Sequence, residues 1–122
     1  MKMKECHGII VDKSLKNRKL IKKLKVIGSR KTSNNWLLLK ISFPKEKLEK
    51  MIKLIQESLV TRKGYYAHFY ASNKVIVIFK DKIFYVTPNK RSWKPIIDYG
   101  VSLKIPKYQL NMKPVRFKDE SW

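Results

Sequence analysis

A long basic stretch of the sequence has no acidic residue between Asp12 and Glu46. Closely spaced cations suit a phosphate backbone, because neutralising phosphates releases condensed counterions and so favours binding. Lysine outnumbers arginine 24 to 5 in the chain, and lysine reads base edges less well than arginine, so sequence-independent binding of RNA or DNA is predicted. A solvated face that only reflects a lysine-rich composition is the alternative. The predicted nucleic-acid-binding cations are Lys13, Lys16, Arg18, Lys19, Lys22, Lys23, Lys25, Arg30 and Lys31.

A row of aromatic rings is the second feature that suits nucleic acid. Side chains alternate between the two faces of a strand, so Tyr66, His68 and Tyr70 share one face of the run from Tyr65 to Ala71. Unstacked bases can lie on such rings, and each stack contributes about 1–3 kcal/mol. These three residues are therefore predicted as a second nucleic-acid contact. The alternative is that the tyrosines pack under a helix or loop and that His68 is buried.

The sequence lacks the motifs of several enzyme classes. Its four glycines, at positions 8, 28, 64 and 100, cannot form a dinucleotide-binding or phosphate-binding loop. One cysteine and two histidines cannot complete a structural zinc site by themselves. No GxSxG nucleophile motif occurs. We therefore predict no catalytic site, no metal and no cofactor, with an enzyme that uses His7 or His68 as the alternative outside known motifs.

Composition predicts one folded basic domain. The chain has 122 residues, with 29 Lys plus Arg against 9 Asp plus Glu and a formal net charge of +20. A hydrophobic share of 43% argues against a disordered basic tail. The longest apolar run, Val75–Phe79, is far shorter than the roughly 20 residues of a membrane span. Cys6 is the only cysteine, so no disulfide can form within the chain and a cytoplasmic location is expected.

The elements that position these residues begin with a predicted short strand, Gly8–Val11. An imperfect apolar stripe over Ser14–Leu24 favours a helix with Ser14 as its N-cap. Lys25–Lys31 is predicted as a strand, and Trp36–Phe43 alternates apolar and polar residues as a strand does. Turn residues separate the two, so a β-hairpin is predicted.

The second half of the chain predicts one clear helix and three strands. Apolar residues with a 3.6-residue period run from Pro44 to about Val60. Short polar spacers then separate the strands Tyr65–Ala71, Lys74–Lys80 and Ile83–Thr87, which forces antiparallel neighbours. The stretch Val75–Phe79 has no polar alternation, so both of its faces should be covered and it should lie centrally in the sheet.

A last helix is predicted from Ser92 as N-cap to about Lys104, with Trp93 in the core and Gly100 allowing close approach to the sheet. From about residue 111 an irregular, partly frayed tail is expected. The fold class predicted is therefore α+β. Residues 1–122 form a single domain, with a mainly antiparallel sheet of about five strands and two main helices packed on it.

Several runs in the C-terminal half carry a resemblance to other proteins. They are Tyr65–Tyr70, Val77–Phe84, Trp93, Tyr99–Gly100, Ile105–Pro106 and Gln109–Leu110. Together they resemble a group of small uncharacterised prokaryotic proteins with no assigned activity. The resemblance implies no function and no functional residue, and it favours residues 105–110 as part of the domain.

Taken together, these patterns predict a small cytoplasmic α+β protein without catalytic machinery that binds RNA or DNA largely independently of sequence. No membrane partner is expected. The alternative function is a protein-interaction module, with a homodimer as one form, in which the open edge of the sheet or an aromatic patch is the contact.

Overall fold

The computed structural model describes residues 5–17, 19–32, 35–60, 65–110, 112 and 114–122. Within these ranges six strands form one antiparallel sheet, one strand more than the five or so predicted. In chain order they are β1 (Glu5–Val11), β2 (Lys25–Lys31), β3 (Leu37–Pro44), β4 (Ala67–Ala71), β5 (Lys74–Ile78) and β6 (Ile83–Val86). Across the sheet the order is β2-β3-β1-β4-β5-β6, so the first strand lies between the third and the fourth. The predicted hairpin of β2 and β3 is confirmed.

In the described residues three α-helices accompany the sheet: α1 (Lys19–Lys23), α2 (Leu48–Ser58) and α3 (Lys94–Ser102). The predicted α+β single domain with two main helices, α2 and α3, is thereby confirmed. Each main helix follows a short 3₁₀ turn. The N-cap of α3 is Trp93 and not Ser92 as predicted, while Asn89 caps the preceding 3₁₀ turn by accepting from the backbone N–H of Arg91. Within the described ranges, no helix combines the length and apolarity that crossing a membrane requires.

The predicted helix over Ser14–Leu24 is wrong for its first half. The Ser14 hydroxyl donates to the Val11 carbonyl at 2.6 Å, inside a 3₁₀ turn. Leu15 then forms an isolated antiparallel bridge with Leu59. Because these contacts hold the backbone in non-helical geometry, only Lys19–Lys23 is helical.

Both faces of the sheet are covered by a hydrophobic core. On the first, which we call the α2 face, Ile52 and Ile55 of α2 pack with strand residues such as Ile41 and Phe69. On the second, the C-terminal face, α3 and residues 105–122 cover the strands. Odd-numbered residues of β5 belong to the C-terminal face and even-numbered ones to the α2 face. This confirms that both faces of Val75–Phe79 are covered, although β5 is second from the edge.

The described residues of the segment after α3 pack on the sheet. This differs from the partly frayed tail that was expected. Met112 and Val115 are buried in the core of the C-terminal face. The close packing predicted at Gly100 is present, but the neighbour is Leu110 of this segment and not the sheet. A Cβ at Gly100 would lie 2.6 Å from a Leu110 methyl carbon. The irregular segment is thus a structural layer of the domain.

The ring of Phe69 packs so closely on Gly8 that a larger residue at this position should destabilise the fold. A Cβ at Gly8 would lie 2.4 Å from Phe69 Cδ1, and the ring is fully buried against Phe43. We expect Gly8→Ala to lower the free energy of unfolding by about 1–3 kcal/mol, because the core would be overpacked. Urea denaturation measures the change. Ser29→Ala, at an exposed position of β2, is the control, and equal stability of the two variants would contradict the prediction.

Candidate nucleic-acid interface

β2 is an edge strand, and its cations project from both sides of that edge. Antiparallel partners share a face of the sheet. The register with β3 therefore places Lys25 and Arg30 on the C-terminal face and Lys31 on the α2 face. All three side chains are exposed. A bulge between Val26 and Gly28 interrupts the pairing and gives this edge its irregular outline.

The predicted cations that precede β2 are also exposed. Leu20 is buried in the core of the α2 face, which leaves the lysines of α1 in solvent. Lys16 follows β1, and its backbone N–H donates to the Ser58 carbonyl at 2.6 Å. Arg18 lies outside the described residues. We call the exposed set the basic edge; it consists of Lys13, Lys16, Lys19, Lys22, Lys23, Lys25, Arg30 and Lys31.

Carboxylates do not neutralise the basic edge. Among the described residues, no ion pair joins any of its cations to an acidic side chain. Among the described residues, the ion pairs of lysine and arginine join Lys94 to Asp98 and Arg116 to Asp119, on α3 and in the C-terminal segment. The sequence pattern, in which acidic residues are missing between Asp12 and Glu46, is therefore matched by unpaired cations in the fold.

Lys40, in contrast, is a buried cation of the same stretch. Only 5% of this β3 residue is exposed, and its Nζ lies 5.2 Å from the centroid of the Trp122 ring. Its partner on β2 is Gly28, where a Cβ would approach the Trp122 backbone carbon to 3.3 Å. Glycine at this position thus leaves room for Trp122 to cover Lys40, and the indole face offers the ammonium a cation–π contact.

The aromatic row is buried, which corrects the prediction that it offers a stacking surface. Tyr66, His68 and Tyr70 face the C-terminal side, where residues 105–122 cover them. The exposed fractions of His68 and Tyr70 are 4% and 1%. The hydroxyl of half-buried Tyr66 donates to the backbone carbonyl of Gln109, and His68 Nε2 donates to the Pro114 carbonyl at 2.9 Å. Bases cannot reach rings that are covered in this way, so the alternative of packing under a loop fits the structure.

A carboxylate that the sequence did not single out joins the C-terminal segment to the sheet. Glu120 Oε2 accepts hydrogen bonds from His7 Nδ1 and from the Tyr70 hydroxyl, both at 2.5 Å. The ring of Phe117 stacks on His7 with 4.0 Å between centroids. Burial and the bond to Glu120 raise the pKa of Tyr70 well above its ordinary value, so the hydroxyl remains a donor. We call His7, Tyr70, Phe117 and Glu120 the latch.

Strand register explains the latch. His7 lies opposite Tyr70 on β4 and opposite Ser42 on β3. The Ser42 hydroxyl donates to Glu5 at 2.5 Å, and this bond lowers the pKa of the Glu5 carboxyl. Cys6 points to the α2 face, where burial raises the pKa of its thiol. His7 and Cys6 therefore do not pair, in keeping with strand alternation.

The latch has the character of a closed structural network. Its hydrogen-bonding groups are directed at one another, and Phe117 lies over the histidine. In the part of the chain that the structure describes, no cluster of three or more His, Cys, Asp or Glu side chains is arranged to hold a metal ion.

A groove of about 410 Å³ lies between the edge strand β2 and the C-terminal segment. Sequence reasoning missed it, because no motif or spacing connects residues so far apart in the chain. Arg30 is the only one of its lining residues that was predicted to bind nucleic acid. Its lining includes Arg30, Lys90, Trp93, Met112, Val115, Arg116, Asp119 and Trp122.

Removal of the Tyr70 hydroxyl tests the latch. Tyr70→Phe keeps the ring but leaves Glu120 without one of its donors. We expect the free energy of unfolding to fall by about 1–3 kcal/mol, since a buried hydrogen bond to a charged group is lost. Urea denaturation measures this, and amide exchange in residues 114–122 should quicken. The control is Tyr85→Phe at an exposed ring; if both variants match the parent protein, the latch does not hold the segment.

Burial of His68 makes stability depend on pH. Burial lowers the pKa of His68 from 6.5 to about 4. Between these values the unfolded chain binds more protons than the folded one, so stability is full above pH 6.5 and falls on acidification. The loss reaches about 3 kcal/mol near pH 4.

Comparison with His68→Asn isolates this contribution, because asparagine can still donate to Pro114 but does not titrate. Urea denaturation at pH 7 and pH 4 gives the difference for each protein. The prediction is wrong if the variant loses as much stability as the parent between the two pH values.

A comparison of the chain with known proteins found no match. No protein-family model, no curated protein and no solved structure is similar to it. The resemblance to a group of small prokaryotic proteins, seen in the C-terminal half of the sequence, accordingly stays a prediction.

Proposed function

We propose that the protein binds RNA or DNA through the basic edge, largely independently of base sequence. The observation that carries the proposal is the exposed, unpaired state of these cations among the described residues. Within the described residues no carboxylate forms an ion pair with these cations, so their charge is available to a phosphate. A polyanion would also relieve the mutual repulsion of the lysines.

The dimensions of the edge suit an extended phosphate backbone. Seven residues of β2 extend over about 20 Å at about 3.3 Å per residue. Phosphates of one duplex strand advance by about 3.4 Å along the axis, so several face this length together. The lysines of α1 widen the strip on one side. Lysine neutralises phosphates as a point charge, which supports binding of the backbone over reading of bases.

A protein-interaction role, with a homodimer as its simplest form, is the second candidate. It is favoured by the free edge of β2, where Val26 and Ile27 are each 41% exposed. Edge pairing of two copies would, however, bring the cations of β2 together, and both the bulge and the lysines are features that protect an edge from pairing. Light scattering separates the candidates, since a stable dimer that binds no nucleic acid would favour this one.

The proposal predicts that the binding affinity depends strongly on salt concentration. Fluorescence anisotropy with labelled single- and double-stranded oligonucleotides should show binding at about 50 mM salt that weakens steeply by about 200 mM. The logarithm of the association constant should fall linearly with the logarithm of salt concentration. No binding at low salt, or binding that salt leaves unchanged, would overturn the proposal.

A matched pair of triple variants locates the binding surface. Lys19, Lys22 and Lys23 of α1 are changed to Gln in one protein, and Lys47, Lys50 and Lys53, near and on α2, in the other; all six are exposed. The two proteins lose the same net charge. We expect the α1 variant to reduce the salt slope by about 2–3, because up to three phosphate contacts are lost, and the α2 variant to change it little. Equal losses would place the binding outside the basic edge.

A further inference from the structure

We propose that the groove beside Arg30 is a subsite for one nucleotide of single-stranded nucleic acid, with the base on the indole of Trp122 and the phosphate at Arg30 and Lys90. The inference rests on the proposed function, which it deepens by naming the substrate class. It concerns residues that the basic edge and the latch leave without a role, except Arg30, which belongs to both surfaces.

The groove has the size and lining of a ligand site. Its volume of about 410 Å³ is within the usual range of about 300–1,000 Å³ for small-molecule sites. Trp93, Met112 and Val115 supply apolar surface and are themselves buried, so this lining is fixed by the core. Trp93 Nε1 also donates to the Thr87 carbonyl at 2.8 Å, which orients its ring. A rigid apolar wall with charged groups around it is suited to a flat, partly polar ligand.

The charges of the groove favour an anion. Arg30, Lys90 and Arg116 line it together with one acidic side chain, that of Asp119. That carboxylate is engaged by Arg116 through two hydrogen bonds, at 2.7 and 3.2 Å. Within the described part of the chain, Arg30 and Lys90 have no acidic ion-pair partner. The positive charge available to a ligand is therefore that of Arg30 and Lys90, and arginine can hold a phosphate with two parallel bonds.

The indole of Trp122 is held in place before any ligand arrives. Lys40 lies 5.2 Å from its centroid, and Gly28 leaves the space that its backbone occupies. Trp122 also lines the groove. Aromatic side chains that are already positioned bind bases without the cost of ordering, and stacking on them tolerates any base. This agrees with binding that depends little on sequence.

The position of Arg30 connects the groove with the basic edge. A strand whose phosphates follow β2 reaches the groove at Arg30, where one unstacked base can enter. Duplex bases are already stacked, and a polyanion without bases has nothing to place on Trp122. Single-stranded DNA should therefore use both surfaces, whereas a duplex and inorganic polyphosphate should use only the basic edge.

The test compares Trp122→Ala with Tyr108→Ala, which removes a ring that is 78% exposed and outside the groove. The probes are fluorescein-labelled dT15, a 15-base-pair duplex and inorganic polyphosphate as competitor. We expect Trp122→Ala to weaken dT15 binding about 5- to 150-fold, the loss of one base stack, and to leave the duplex and polyphosphate affinities unchanged. Tyr108→Ala should bind all three as the parent protein does.

Two failures are distinguishable. If the parent protein binds dT15, duplex and polyphosphate with salt dependence but Trp122→Ala binds dT15 equally well, the subsite is overturned and the proposed function stands. If the parent protein binds none of the probes, the proposed function fails and the subsite with it.

A second measurement covers the case in which Trp122→Ala does not fold. The parent protein is labelled with 5-fluorotryptophan, and Trp122→Phe identifies the fluorine resonance of Trp122. Saturating dT15 should shift this resonance, while polyphosphate at equal occupancy should not. An unmoved Trp122 resonance in the dT15 complex overturns the subsite.

Discussion

The carboxylate of Glu120 is the contact on which the C-terminal face depends. It accepts hydrogen bonds from His7 on β1 and Tyr70 on β4, two adjacent strands in the middle of the sheet. One side chain thus anchors an irregular segment that has no backbone ladder of its own. Without it, the polar atoms of two buried rings would lose their partner, which is costly in a core. The bonds of Tyr66 to the Gln109 carbonyl and of His68 to the Pro114 carbonyl hold the same segment, so the covered aromatic row and the groove depend on these contacts together with Glu120.

The chain distributes its few acidic residues unevenly. With 9 Asp plus Glu for 29 Lys plus Arg, there are too few carboxylates to pair with most of the positive charges. Glu5 and Glu120 are bonded to groups on the sheet, and Asp98 and Asp119 pair with neighbours in α3 and the C-terminal segment. The exposed carboxylates Glu46, Glu49 and Glu57 lie on or beside α2, and within the described residues none of them is paired with the basic edge. The basic edge, which is simple in structure, is left with repulsion that only an external anion can offset.

Sequence patterns predicted which face of each helix or strand is apolar. They did not predict as well which residues cover that face. The alternation in β3 and β4 and the apolar run of β5 report burial directly, because each strand side has its own periodicity. α2 was predicted from Pro44, but a 3₁₀ turn over Lys45–Lys47 precedes it. The aromatic row was assigned to the correct face, yet its cover comes from 46 and 50 positions further along the chain. Neither that aperiodic segment nor the groove has a local pattern from which it could be inferred.

The position of β1 has a consequence for the order in which the chain acquires its structure during synthesis. β1 leaves the ribosome first, but its pairing with β4 and the bond between His7 and Glu120 span most of the chain, the latter 113 positions. Contacts of such long range form slowly, because a large loop must close first. The α2 face can close once β4 and β5 have emerged, whereas the opposite face waits for residues 112–122. A nascent chain therefore exposes apolar strand surface on that side until residues 112–122 have been made, and this is the period in which a chaperone would have most to protect.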